Sequence, residues 1–225
     1  MQTSPYSPAF IKRCATAYCA VVLLCAPLPL HGDERRGVRI DTGATANLFE
    51  LWPDVVKAPK SQIATIELLV RPDADAIDRP ASFLFILSNL RGTDIAGISL
   101  GMYQGVVRSN VLGVKLNAAA KLPVDEWSHV ALTINTQTVN KQARLWINGK
   151  PIAKSLVLEY WPKSFQVAEM FSDRWNQGRV FTGHIGDVRV SRTVRYVKPF
   201  EPPVRLARDR NTVLLLNASD FRLSE

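Results

Sequence analysis

The clearest order in the chain is an alternation of large apolar and small or polar residues in its middle third. In His129-Val130-Ala131-Leu132-Thr133-Ile134-Asn135 the bulky side chains fall on every second position, which places them on one face of an extended strand. A polar stretch, 136–142, separates this run from a second one, Ala143-Arg144-Leu145-Trp146-Ile147. Asn148-Gly149 follows, and both residues accept the positive φ that a type I′ hairpin turn demands. Pro151-Ile152 opens the return strand to about Leu158, so residues 129–158 predict a meander.

Upstream, Ile63–Val70 is a β-branched-rich run stopped by Pro72, and Ser82–Ser88 is an apolar run between Pro80 and Gly92. Short strands are predicted at Ile98–Met102, Val106–Val107 and Val111–Leu116, separated by glycine or Ser-Asn signals. Downstream, Tyr160–Gly178 is irregular and aromatic. Phe181–Val190 and Thr212–Leu216 read as strands, joined through Pro199, Pro202 and Pro203 by an extended surface connection. No amphipathic helix longer than a turn or two is predicted, and Ala118–Ala120 is too short to nucleate one. Many short strands with turn residues between them predict an all-β fold, a sandwich or barrel.

The first thirty or so residues differ. Lys12 and Arg13 are the only charges before Asp33, an apolar run fills Ala15–Leu30, and polarity returns with Asp33-Glu34-Arg35-Arg36. A basic start, a short apolar stretch and a small residue before a charged segment match a secretory signal peptide, assigned to residues 1–32. The run is short and broken by proline, which disfavours a membrane span, although an uncleaved anchor stays open. The expectation is a secreted, periplasmic or otherwise extracytoplasmic protein with no stable membrane span once the leader is cleaved.

Composition sharpens this. All three cysteines, Cys14, Cys19 and Cys25, lie in the leader, so the mature chain has no disulfide, no thiolate nucleophile and no cysteine metal site. That fits a bacterial exported protein better than a disulfide-stapled animal module. Removing Lys12 and Arg13 takes 28 basic residues to 26 against 20 acidic ones, a net charge of +6. The excess is scattered in short groups, reads as a solvated basic face, and gives no signal for nucleic acid.

Three patches resemble the laminin-G-like, concanavalin A-like jelly-roll superfamily. They are Ala64–Pro72, then Glu126-Trp127-Ser128-His129-Val130-Ala131 with Leu145-Trp146-Ile147-Asn148-Gly149, and finally Phe181–Val190 with Arg195-Tyr196 and Phe200-Glu201-Pro202-Pro203. They run in the family's order over nearly all of the mature chain. The resemblance implies a two-sheet antiparallel β-sandwich (a jelly roll) over residues 38–220. It also implies that Trp127 and His129 pack and hydrogen-bond around the hairpin, and that Asp187 braces a turn or pairs with an arginine. Gly186 stands where many relatives carry an acid, which tells against a carboxylate-pair site there.

Related glucanases carry Glu-x-Asp-x-x-Glu on one strand, whereas Glu67 is followed by Leu69 and Val70, and Asp125-Glu126 point to opposite sides. Gly97-Ile98-Ser99-Leu100-Gly101 matches the nucleophile-elbow pattern, but no helix pattern follows it. Asp73, Asp75 and Asp78 suggest a calcium loop, yet the sixth position of an EF-hand register holds Asp78 and the twelfth Leu84. A looser calcium site there, as in laminin-G relatives, stays open, with Asp94 and Asn110 as further donors; no other cofactor is indicated. Three histidines and no mature cysteine make zinc a poor fit.

The remaining feature is aromatic: Tyr160, Trp161, Phe165, Phe171 and Trp175, with Asp173, Arg174 and Asn176 among them. Flat rings beside fixed hydrogen-bonding groups suit a sugar, while the same rings also suit core packing. The expected binding residues are Tyr160, Trp161, Asp173, Arg174, Trp175 and Asn176. The expected function is an exported, non-catalytic recognition module for a glycan or an extracytoplasmic protein. The alternatives are a domain that docks to an envelope protein without a small ligand, and a degenerate glycoside hydrolase.

Overall fold

The computed structural model describes residues 37–41, 46–53, 63–88, 97–136, 141–156, 165–171 and 180–221. The predicted leader, 1–32, lies outside them. Among the described residues no helix is long and apolar enough to cross a membrane. Thirteen strands of the described residues form two antiparallel sheets.

One sheet has seven strands: β1 (Val38–Ile40), β3 (Thr65–Pro72), β8 (Ser128–Asn135), β9 (Gln142–Ile147), β10 (Lys150–Leu156), β12 (Gly183–Ser191) and β13 (Thr212–Leu216). Their order is β1-β12-β3-β8-β9-β10, with β13 also paired to β12. The other sheet has six: β2 (Ala46–Asn47), β4 (Ser82–Ser88), β5 (Gly97–Tyr103), β6 (Val106–Val111), β7 (Val114–Lys121) and β11 (Val167–Met170), in the order β2-β11-β4-β5-β6-β7. Among the described residues the α-helices are short, α1 (Leu48–Leu51) and α2 (Ala74–Asp78), and a 3-10 turn spans Ala218–Asp220. The expected two-sheet sandwich is the fold.

The core forms because period-two strands turn their bulky residues toward one another. Ile66, Leu68 and Val70 of β3 and Val130, Leu132 and Ile134 of β8 meet Leu84 and Leu87 of β4 and Ile98, Leu100 and Met102 of β5. The meander stands as predicted, with Asn148 at φ 47° and Gly149 at φ 75° between β9 and β10. The β6–β7 pair departs from the reading. Ser109-Asn110 is not a separator; it lies inside β6, and the chain turns at Leu112-Gly113, φ 53° and 88°. Ser109 Oγ donates to the Ser99 carbonyl at 2.8 Å, and Asn110 Oδ1 accepts from Gly113 N at 3.0 Å, so two turn-prone residues are used to close a strand and its turn.

β3 is buried on both faces, which needs a second cover besides the core. That cover is the extended connection 192–211, a strap lying across the outer face of the seven-stranded sheet. Thr65 Oγ1 donates to the Thr193 carbonyl (2.7 Å), Arg144 Nη1 to the Val197 carbonyl (2.9 Å), and Phe200 N to the Gly149 carbonyl (3.1 Å).

Candidate functional site

Beneath the strap lies a buried group of ionisable side chains. Glu67 of β3 stands opposite Ala131 of β8 and Arg189 of β12, and His129 is one residue pair further along β8. All three side chains share the outer face because their neighbours Ile66, Leu68, Val130, Val188 and Val190 face the core. Glu67 is fully buried. Its Oε1 accepts from Arg189 Nε at 2.7 Å, and its Oε2 accepts from Tyr196 OH at 2.6 Å and lies 3.0 Å from His129 Nε2. Arg195 Nε stands 3.6 Å from Oε1, while its Nη atoms hold Asp209 of the strap at 2.8 and 3.0 Å.

Burial alone would push the Glu67 carboxyl up; hydrogen bonds from His129 and Arg189 and their charge outweigh it and hold it at about 2. Tyr196 moves the other way, raised first by burial and then by the Glu67 charge beside it. Rings close the site. Tyr196 stacks on Phe200 with centroids 3.6 Å apart, and His129 meets both edge-on at 5.8 and 5.6 Å. Trp146 packs against Phe200 at 5.8 Å, and its Nε1 donates to Thr133 Oγ1 at 3.0 Å.

A bulge between Ile185 and Val188 sets two residues, Gly186 and Asp187, against the single Leu69. It turns Asp187 into the strap, where Oδ2 accepts from Arg205 Nε and Leu206 N, both at 2.8 Å, and Oδ1 from Arg205 Nη2 at 2.9 Å. The arginine pairing implied by the resemblance is present. At Gly186 a Cβ would lie 3.2 Å from Leu69 Cβ, whereas at Gly37 it would lie 2.5 Å from the Trp127 ring, so Gly37 is the glycine that gives the ring its seat. Chemically, this face is a clasp. Glu67 and Asp187 each meet two or more donors, and both are buried. From sequence, His129 and Asp187 are expected to hydrogen-bond or pair, Glu67 figures only as a glucanase-type carboxylate without partners, and no role is expected of Arg189, Arg195 or Tyr196. The available signal was a charge set in the middle of each of two largely apolar strands, Glu67 in β3 and Arg189 in β12.

The other expected residues fall as follows. Ser99 is buried in the middle of β5, which runs through Gln104-Gly105 into β6 rather than into a helix. Asp73 caps α2, its Oδ1 accepting from Ala76 N at 3.0 Å and from Thr182 Oγ1 at 2.6 Å. Asp75 and Asp78 are exposed on that helical turn, and no three His, Cys, Asp or Glu side chains gather as a metal set among the described residues. Of the aromatic segment, Phe165 and Phe171 belong to the core, Phe171 meeting Phe221 at 5.3 Å. Tyr160, Trp161, Asp173, Arg174, Trp175 and Asn176 lie outside the described residues.

Comparison with known proteins follows the same lines. The sequence profile of the concanavalin A-like lectin/glucanases superfamily matches residues 45–197. No curated protein sequence matches. Among solved structures, the carbohydrate-binding module CBM40 of the Ruminococcus gnavus IT-sialidase superposes with a TM-score of 0.54 at 22% identity, covering 70% of this chain and 90% of that one. A Bacteroides ovatus protein described as carbohydrate-binding gives a TM-score of 0.50 at 18% identity over 70% of this chain, which spans 43% of that protein's length. At these identities the likeness is one of fold.

Proposed function

The chain belongs to the concanavalin A-like lectin/glucanase superfamily, and from that premise we propose that it is an exported, non-catalytic recognition module that binds carbohydrate. The observation that carries this reading is the state of the sheet carboxylates. Hydrolysis of a glycosidic bond needs two carboxyl groups facing the substrate. Glu67 and Asp187 instead face the strap, each held by arginine and covered. The sandwich supplies a stiff frame, and recognition falls to what projects from it. Aromatic residues on loops around a rigid scaffold suit sugars, whose C–H faces lie on rings. Tyr160, Trp161 and Trp175, with Asp173, Arg174 and Asn176, are proposed as that surface. The fold class also contains the Ruminococcus module, which has been seen with α2,3-sialyllactose.

A second reading has its own support. Val197 and Val204 of the strap are 67% and 51% exposed, apolar side chains presented outward in a segment fixed from below. A partner protein could dock on them without any small ligand. A glycan array and polysaccharide pull-downs with wild type, Trp161→Ala and Trp175→Ala separate the readings. Glycan binding lost in both variants is expected. Binding that ignores both removes the aromatic segment from the account, and turnover of a β-glucan or ester abolished by Ser99→Ala or Glu67→Gln overturns the non-catalytic reading.

A further inference from the structure

The outer face of the six-stranded sheet carries charge of a different kind from the clasp. The apolar residues Leu100, Met102, Val107, Val111 and Leu116 of β5, β6 and β7 turn to the core, so their neighbours face away from it. Register then sets out that face in rows. Asn110 stands opposite Lys115, Arg108 opposite Asn117, and Val106 opposite both Tyr103 and Lys121. Arg108, Lys115, Asn117 and Lys121 are exposed, as is Tyr103.

These three strands contain no aspartate or glutamate. Four arginines elsewhere each meet a carboxylate: Arg39 meets Asp41, Arg189 Glu67, Arg195 Asp209 and Arg205 Asp187. Arg108, Lys115 and Lys121 have no carboxylate partner among the described residues. Instead the Arg108 guanidinium lies 4.1 Å from the centre of the Tyr103 ring, which orients its planar fork along the sheet. The rows from Asn110 to Val106 span four residues of β6, about 13 Å at strand rise. Three cations are therefore spread along one face of the sheet, with two amides between them.

We propose that this face is a binding site for an anionic polysaccharide, one bearing carboxylate or sulfate groups along its chain. Spaced cations meet spaced anions, the Arg108 fork accepts a planar carboxylate through two parallel hydrogen bonds, and Asn117 beside it serves ring hydroxyls. Tyr103 is taken by the guanidinium, so it gives no free ring on which a nucleobase would stack. Among the described residues of β5, β6 and β7 the large exposed hydrophobic is Tyr103, which lies under the Arg108 guanidinium and leaves little to insert into a lipid surface. This site is separate from the aromatic segment, and the two readings stand or fall apart.

The test is binding of the full chain to polygalacturonate, dextran sulfate, neutral dextran, phosphatidylglycerol vesicles and single-stranded DNA, with and without 0.5 M salt. The expected result is binding to polygalacturonate or dextran sulfate that weakens with salt, with none to neutral dextran. The preference between the two polymers tells carboxylate from sulfate recognition. Arg108→Gln/Lys115→Gln/Lys121→Gln should lower that affinity at least tenfold, with an unchanged melting temperature as proof of folding. Trp161→Ala/Trp175→Ala should leave it unaltered. Equal binding by the triple variant, or tighter binding to vesicles or DNA that the triple variant loses, overturns the proposal.

Discussion

Replacing Glu67 by glutamine removes one charge from the centre of the clasp and leaves the shape nearly unchanged. The magnitude follows from the carboxyl itself. Folding takes it from an ordinary value of 4.5 to about 2, and at about 1.4 kcal/mol for each tenfold change in proton affinity that is about 3–4 kcal/mol of stability. Glutamine can still accept from Arg189 or Tyr196, but the Arg189 guanidinium, 9% exposed, loses the charge it faces. Loss of one partner from a buried pair costs about 3–5 kcal/mol, so the lower end is expected. Denaturant unfolding at pH 7, followed through intrinsic tryptophan fluorescence, reads this directly. The pH dependence has a fixed sign. Because the folded value lies below the unfolded one, the contribution is complete above about pH 4.5 and disappears as pH falls through about 2. The gap between wild type and Glu67→Gln should therefore narrow steadily from pH 4.5 downward. A gap below about 0.5 kcal/mol at pH 7, the level of an ordinary surface change, or one of equal size at pH 7 and pH 2, refutes the reasoning.

Two further outcomes test the strap. Gly149→Ala adds a Cβ 1.8 Å from the Phe200 carbonyl at φ 75°, and should cost well over about 1 kcal/mol in thermal unfolding. Gly113→Ala, at φ 88° with nothing within 4 Å, is the control that isolates backbone strain; equal losses in the two would deny the strap contact. Asp187→Asn weakens the hold on Arg205 and Leu206, and since Arg205 is half exposed the loss is about 1–2 kcal/mol. Trypsin should then cut at Arg205, Arg208 or Arg210 faster than in wild type, and unchanged cleavage would place the anchor elsewhere.

What the sequence revealed and what it hid have physical reasons. The hairpin was legible because its signals are local: alternation over seven residues and a turn whose φ values only a few residue types accept. The β6–β7 pair was not, since Ser109 and Asn110 favour turns in isolation and only the Ser99 carbonyl and the Gly113 amide make them strand residues. The clasp lies beyond local reading. Glu67 meets Arg189 across 122 positions and Tyr196 across 129. Period two says which residues share a face; it cannot say that a strap will cover it. The aromatic segment divides for a similar reason. Phe165 and Phe171 flank β11, whose four residues are all buried, and so are drawn into the core.

The two ends of the sandwich share one neighbour. β1 pairs with residues 183–185 of β12 and β13 with residues 188–191, on the same edge, with Val38 opposite Ile185 and Leu216 opposite Val188. The first residue of β1 and the last of β13 thus stand about three residues, roughly 10 Å, apart along β12. A pull applied through both ends would not shear a ladder of bonds together. It would peel β1 and β13 from β12 one bond at a time, starting at the point where they meet. Tethered at both ends, the domain should yield at low force by losing these two strands first, while β12 and β3 and the clasp between them stay closed.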